Sequence, residues 1–501
     1  MKRRRCRDNN PTTYHLLPNT LPARTCEHFL YRFTNMKRLL LLLVTSLLFT
    51  ACANKSMTRY EALAPVFEQN GIEAAIAATQ KGKDDLYGDD NAFLYHFDLG
   101  VLYHYNGDYK ESATNFAKAE KIYDDLYTRS ISNEAAAIVT NDNVRPYRAR
   151  PFEVLVLHEM QIMNYLAQRN VDGALVEVNR AQKAMTELYQ KDNDKTNDNG
   201  FLRYLTAIVY EMAGEPDEAA IAYYKTVKAY NENILNLPKE AREFIIESLR
   251  RSDREDDIRT LGLDNTLETP KATAARDLGQ EIIVVGYAGH GPILTELKMS
   301  GTYVSGGSLI LSYKYSKTGK TESTTLGAPP VAGAGNGQTF HISLALPEAH
   351  SFKSKVHHFN VSVDNQSGIR PEKVMALDKE LEMNLKDDFT STMTRTAIRV
   401  VLRTIASQTA KKAMKTDNVM LNLFTSISTD IAQDQLEKAD LRIALFLPNS
   451  FQMTRIPVEP GSHEVSVAAE GDAGNTVKVI DYGKVEVKKG EKKFIFVPAI
   501  K

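Results

Sequence analysis

One spacing narrows the folds open to this chain more than any other feature. In "GVLYHYNGDYKESATNFAKAEK" the residues Tyr103, Ser112, Phe116 and Ala119 stand at offsets 0, 9, 13 and 16. The same offsets select Tyr165, Ala174, Val178 and Ala181, and again Tyr210, Ala219, Tyr223 and Thr226. Recurrence of this kind within a stretch of helical period marks a helical-hairpin repeat. Two copies place glycine at offset 4, Gly107 and Gly214, where a helix has to end and turn. Such a unit cannot bury its apolar face alone, so copies stack into a curved superhelix. Tyrosine is frequent here, and most of these residues read as spacers between helices. Tyr95, Tyr103, Tyr165 and Tyr210 are the candidates for lining a partner groove, because tyrosine offers a large contact area with a polar tip.

The pattern resembles the tetratricopeptide repeat, in which two antiparallel helices cross at small residues. Leu99-Gly100 matches the Leu-Gly pair of that motif's first helix. The departures are an absence of tryptophan, no closing proline, and gaps between copies such as "SNEAAAIVTNDNVRPYRARPFE" and "KDNDKTNDNG". A generic helical bundle is the competing reading. A worn further copy starts near "FEQNGIEAAIAAT".

Past Arg251 the composition changes. Residues 252–280 are charged and weakly apolar and read as a linker. The period then drops to two in "EIIVVGY", "SLILSYKYS", "TFHISLALP" and "KVHHFNVSVD", runs separated by glycine-, proline- and serine-rich turns. Helical period returns over about 386–437, with Phe389, Met393, Ala397, Val401, Ile405 and Ala406 on one stripe. Strands resume with "LRIALFLP", and residues from about 440 to 501 read as a small β module. The expected fold is multidomain. An all-α, tetratricopeptide-like superhelix over 59–251 precedes an α+β, β-sandwich-containing domain over 281–501.

The N-terminal region sets the expected compartment. "MKRLLLLLVTSLLFTACANKS" begins at Met36 and combines a basic start, a short apolar run from Leu39 to Phe49 and a small-residue exit at Ala51-Cys52. That run is shorter than the ~20 residues a bilayer span needs and suits a signal peptide. The exit resembles a bacterial lipobox, with Phe49 where leucine is usual. The resemblance implies cleavage after Ala51, a diacylglycerol and an N-acyl chain on Cys52, and a tether over 52–58. Residues 1–35 fit no export signal and read as an upstream extension outside the functional chain. They and the signal hold nine basic and two acidic residues. The chain from Cys52 onward therefore keeps 53 Lys and Arg against 61 Asp and Glu, a net of −8 that gives no prompt for nucleic acid. Of Cys6, Cys26 and Cys52 only the last survives processing, so no disulfide staples the mature chain.

Candidate chemistry is thin. Gly289, His290 and Gly291 form a "GHGP" turn after a strand, which reads as a structural turn, with a ligand or partner contact of the loop as the alternative; a phosphate cradle would carry a lysine and lead into a helix. His357 and His358 are neighbours on a strand and point to opposite faces, which argues against a shared metal. Arg395, Arg399 and Arg403 recur at i, i+4 and i+8 and form a basic stripe that needs acidic neighbours or an anionic partner. Together with the lipobox, the "GHGP" turn, "ADLRIALFLP" and "YRARPFEVLVLHEMQIMNYLAQRNVDGALVEVNRA", the repeats resemble a family of uncharacterised bacterial lipoproteins with degenerate tetratricopeptide-like repeats. The resemblance implies an outer-membrane, lipid-anchored protein facing the periplasm, or alternatively the cell surface. It implies no catalytic residues, cofactor or metal. The expectation is a scaffold that binds envelope proteins in cell-wall synthesis or outer-membrane assembly. A peptidoglycan-binding lipoprotein acting through the C-terminal β part is the alternative, and an envelope hydrolase is a weaker one.

Overall fold

The computed structural model describes residues 55–130, 145–192, 198–232, 235–263, 279–413 and 438–500. The signal segment, Cys52 and part of the expected linker lie outside them.

Eight helices make four successive pairs: α1 (Lys55–Asn70) with α2 (Ile72–Lys81), α3 (Ala92–Asn106) with α4 (Tyr109–Ser130), α5 (Pro151–Ala167) with α6 (Val171–Asp192), and α7 (Gly200–Ala213) with α8 (Pro216–Glu232). Two shorter helices follow, α9 (Lys239–Arg251) and α10 (Glu255–Thr260). The offset pattern falls on three of these hairpins in one register. Tyr103, Tyr165 and Tyr210 each end a first helix, and their carbonyls accept the N–H groups of Asp108, Asn170 and Glu215, five residues on. The residue at offset 4 is left-handed in every copy: Gly107 at φ 82°, Gly214 at φ 74°, and Arg169 at φ 57°. The middle copy thus forms the same turn with a non-glycine residue, at a cost of roughly 1–2 kcal/mol. Every residue at offsets 9, 13 and 16 has zero exposure, from Ser112, Phe116 and Ala119 to Ala219, Tyr223 and Thr226.

The second half holds three four-stranded sheets. The strands are β1 (Glu281–His290), β2 (Ile293–Val304), β3 (Ser308–Lys314), β4 (Thr321–Gly327), β5 (Thr339–His350), β6 (His358–Val363), β7 (Gln366–Ile369), β8 (Glu372–Ala376), β9 (Pro448–Pro457), β10 (Gly461–Glu470), β11 (Thr476–Val487) and β12 (Lys492–Ala499). The first sheet has order β12-β1-β9-β8, with β12 parallel to β1. The second runs β11-β10-β6-β7 and the third β4-β3-β2-β5. Helix α11 (Leu377–Ala413) lies on the third sheet.

Strand β1 is buried along its whole length, and its alternation explains the layering. Ile282, Val284 and Ala288 face the second sheet, in one core with Phe359, Val361, Val465 and Val467. Ile283, Val285 and Tyr287 face the other way, into the core of the hairpins, with Phe451, Met453, Phe494 and Phe496 from β9 and β12. The first sheet is therefore the middle layer of three; it shares one core with the helices and a second with the sheet behind it, while the third sheet and α11 enclose a core of their own.

Three sequence expectations change. The C-terminal β module does not close on itself, because β9 and β12 complete the sheet of β1 while β10 pairs with β6. Helix α11 starts at Leu377 instead of near 386, and the rest of the expected helical stretch to 437 lies outside the described residues. The run Leu441–Leu447 is fully buried yet belongs to no strand. On α11 the apolar stripe packs as expected for Phe389, Met393, Ala397, Val401 and Ile405, whereas Ala406 is exposed.

Ala174 tests the hairpin register. It is fully buried, so leucine there overpacks the hairpin, at a cost of ~1–3 kcal/mol. Ala184, nearly three turns further along α6, is only partly buried and serves as the paired comparison. The urea midpoint of Ala174→Leu is expected to fall well below that of Ala184→Leu; equal midpoints would refute the register.

Candidate functional site

The face of the hairpins that holds residues 441–447 is the most developed site. This segment, the strap, enters the helical half as irregular chain, so its main-chain groups have no ladder to join. Side chains of the helices meet them instead. The Leu445 N–H donates to Asp98 Oδ1 at 2.9 Å and the Ala444 N–H to Glu153 Oε1 at 2.9 Å. The Tyr105 hydroxyl donates to the Phe446 carbonyl at 3.0 Å, and the Arg59 guanidinium donates to the Ile443 carbonyl. The Leu447 carbonyl accepts from Gly291 N–H at 2.9 Å. At the entrance Arg442 pairs with Asp440 at 2.7 Å and donates to the Arg145 carbonyl at 2.8 Å.

The helix side is equally committed. Asp98 also accepts from the Tyr87 hydroxyl at 2.8 Å. Burial pushes its carboxyl up to about 6, while Arg59, the Leu445 amide and Tyr87 hold it from rising further. Glu153 is the third residue of α5 and accepts the Arg150 N–H at 2.9 Å, so one carboxylate caps a helix and binds the strap. Burial raises this group too, against the pull of its donors.

Two further polar ties join helices to the first sheet. His104 is buried, with Nδ1 2.7 Å from Asn164 Oδ1 and Nε2 2.6 Å from the Tyr287 hydroxyl. Asn164 in turn donates to Ser112 Oγ, which donates to the Gly100 carbonyl. An amide oxygen can only accept, so Nδ1 carries the proton and Nε2 accepts from Tyr287. Burial pushes this imidazole down to about 4, partly offset by Asn164, so it is neutral at pH 7. Arg455 on β9 forms the second tie. It donates to Glu281 at 2.8 and 2.6 Å, to Glu211 at 2.7 Å and to the Tyr223 hydroxyl at 2.7 Å, and its guanidinium lies 4.0 Å from the Phe244 ring centroid. Burial alone would raise the Glu281 carboxyl, but Arg455 and Lys492 outweigh it and hold the group down to about 2.

The residues singled out from sequence are placed differently. Tyr95, Tyr103, Tyr165 and Tyr210 are partly buried against the hairpin core. Tyr103 accepts from Gln80 at 2.9 Å, and Tyr95 packs on Tyr87 and His96. On α3 it is Asp98 and Tyr105 that meet the strap. Arg395 is exposed and donates to Thr392, Arg399 is buried and donates to Thr396, and Arg403 is half-buried, so the three present no common exposed face. The "GHGP" turn shapes the strap's exit. Gly289 adopts φ 69°, and a Cβ on Gly291 would sit 2.5 Å from the Leu447 carbonyl oxygen. His290 packs edge-on to Tyr60 and Phe352. Sequence reasoning missed Asp98 and Glu153, although an acid on an otherwise apolar helix face is the signal that could have found them.

No known protein family matches the chain, and no curated protein does. Among solved structures, the MamA RS-1 ArsTM double mutant is 12% identical with a TM-score of 0.29, over 43% of this chain and 98% of that one. MamA 41-end from Desulfovibrio magneticus RS-1 is 12% identical with a TM-score of 0.28, over 44% and 100%. Likeness this faint carries no functional argument. The chain's own geometry defines its class: a helical-hairpin protein whose stack shares one core with the first sheet of a three-sheet β region.

Removing the Asp98 carboxylate strands two buried donors. Asp98→Ala is expected to cost about 2–6 kcal/mol, at ~1–3 kcal/mol per unsatisfied group. Asp98→Asn is expected to lose less, because the Tyr87 hydroxyl can turn and accept. Chemical denaturation of the full chain measures both, and equal losses would remove the strap contact from the account.

His104 gives a pH test with a defined sign. Its folded value, about 4, lies below its ordinary 6.5, so the unfolded state binds the extra proton between those values. The stability this side chain contributes is complete above pH 6.5 and is lost as pH falls toward 4, by up to about 3 kcal/mol. His104→Gln keeps one donor and one acceptor but no titration. The stability of the wild type relative to this variant is expected to decline from pH 7 to pH 4, and a constant difference would show that His104 is not buried neutral.

Proposed function

We propose that this protein is a lipid-anchored envelope scaffold whose helical hairpins bind extended segments of other proteins. The observation that carries the reading is the strap itself. One face of the hairpins satisfies amides and carbonyls of an irregular peptide segment through Asp98, Glu153, Tyr105 and Arg59. A surface that does this for residues 441–447 of its own chain has the chemistry of peptide recognition, in which main-chain bonds supply affinity and apolar side chains supply fit. The cis segment occupies that face, so partner proteins are expected on the outward faces of the second helices, where Val176 of α6 is 54% exposed. No described helix is long and apolar enough to cross a membrane. The anchoring half of the proposal rests on the lipobox-like "FTAC" ending at Cys52.

Two acyl chains or more hold a protein stably at a bilayer, whereas one does so marginally. Cys52→Ser is therefore expected to move the protein out of the outer-membrane fraction or to leave an uncut precursor. A photo-crosslinking residue at Val176 is expected to trap envelope proteins in intact cells. Membrane residence unaffected by Cys52→Ser would sink the anchor. Binding to purified peptidoglycan, with no protein adducts at Val176, would sink the scaffold in favour of a wall-binding role.

A further inference from the structure

A second site lies away from the strap, between α4, α5 and α6. A cavity of about 510 Å³ opens there, and Glu120, His158 and Arg180 are among the residues that line it. His158 and Glu177 are almost fully buried and lie 2.6 Å apart, Nδ1 to Oε1. Glu120, from the neighbouring hairpin, completes a set in which one ring nitrogen and one oxygen from each carboxylate lie within 4.8 Å of one another. Three donors from three helices converge beside this cavity. We propose that Glu120, His158 and Glu177 bind a divalent transition-metal ion of the zinc type, with its open coordination position facing the cavity.

The donor set suits such an ion. One imidazole nitrogen and two carboxylate oxygens are borderline-to-hard ligands, and three protein ligands leave a fourth position for water or a partner's donor group. A tetrahedral ion with bonds of ~2.0–2.1 Å asks for ligand atoms about 3.3 Å apart. The widest present separation closes by a short movement of Glu120, the least buried of the three. The 2.6 Å contact of His158 with Glu177 opens slightly as the metal replaces the shared proton. The carboxylates already attract a cation, because Arg180 reaches Glu120 at 3.3 Å and Glu177 at 3.8 Å. Arg180 is 51% exposed at its side chain and is free to swing into solvent. It acts as the resident competitor that a metal displaces.

That competition separates a metal site from an ordinary buried ion pair. The full chain, treated with chelator, is titrated with zinc chloride alone by calorimetry, and the apo protein is melted with and without zinc. The expected result is one zinc per chain and a raised Tm. Arg180→Ala is expected to bind zinc more tightly than wild type, since a positive competitor is gone. Glu120→Gln, at the rim and tolerant of solvent, is expected to weaken binding by at least the roughly 10–100-fold that loss of even an outer-shell partner costs. His158→Gln is expected to abolish it. Absence of stoichiometric uptake overturns the proposal. So does uptake that survives both Glu120→Gln and His158→Gln, because the ion would then sit elsewhere, or a wild-type affinity equal to or higher than that of Arg180→Ala.

Discussion

The structure depends on a mutual need between buried amides and buried carboxylates. The strap cannot satisfy its own main chain, and Asp98 and Glu153 cannot stay charged in a core without donors. Each supplies what the other lacks. The partners are 347 and 291 residues apart in sequence, so this exchange is made only when the two halves of the chain are together. It also fixes the strap's register, because a slip of one residue would turn the Leu445 and Ala444 amides away from both acceptors.

Everything downstream of the strap inherits its position. Strand β9 begins one residue after it, lies between β1 and β8, and sends Phe451 and Met453 into the hairpin core. Arg455, further along the same strand, completes the ion pairs with Glu281 and Glu211. Replacing a buried pair by apolar residues is often neutral, whereas breaking one costs several kcal/mol, so the Arg455 cluster specifies a docking geometry more than it adds net stability. With no cysteine among the described residues, these polar ties do what disulfides do in many exported proteins: they make one association of layers the only satisfied one.

The hairpins were legible because their signal is local. Nine positions at three offsets had to be small or apolar, and all nine are fully buried. The left-handed turn was legible where glycine marked it and hidden at Arg169, where tertiary packing holds a residue that local preference would not choose. The tyrosines misled for a related reason. A helix of about four turns has more than one buried face, and sequence does not say which faces a neighbouring hairpin and which a distant segment. Tyr103 and Tyr105 are two residues apart and meet different partners, Gln80 and Phe446. The strap was illegible as such, since "LRIALFLP" has the composition of a buried strand and only the distant acceptors make it something else.

The same reasoning explains why the basic stripe on α11 dissolved while the hydrophobic one survived. Apolar positions on a helix are constrained by one requirement, removal from water, and a sheet face meets it collectively, as β2 to β5 do for Met393, Ala397 and Val401. Charges are constrained pairwise. Arg395, Arg399 and Arg403 share a spacing but not an environment: the first is exposed, the second buried and the third half-buried. Spacing therefore predicts burial well and pairing poorly. For that reason the polar constellations of this protein, at the strap, at His104 and at Glu120–His158–Glu177, emerge only when hairpins and sheets are seen packed together.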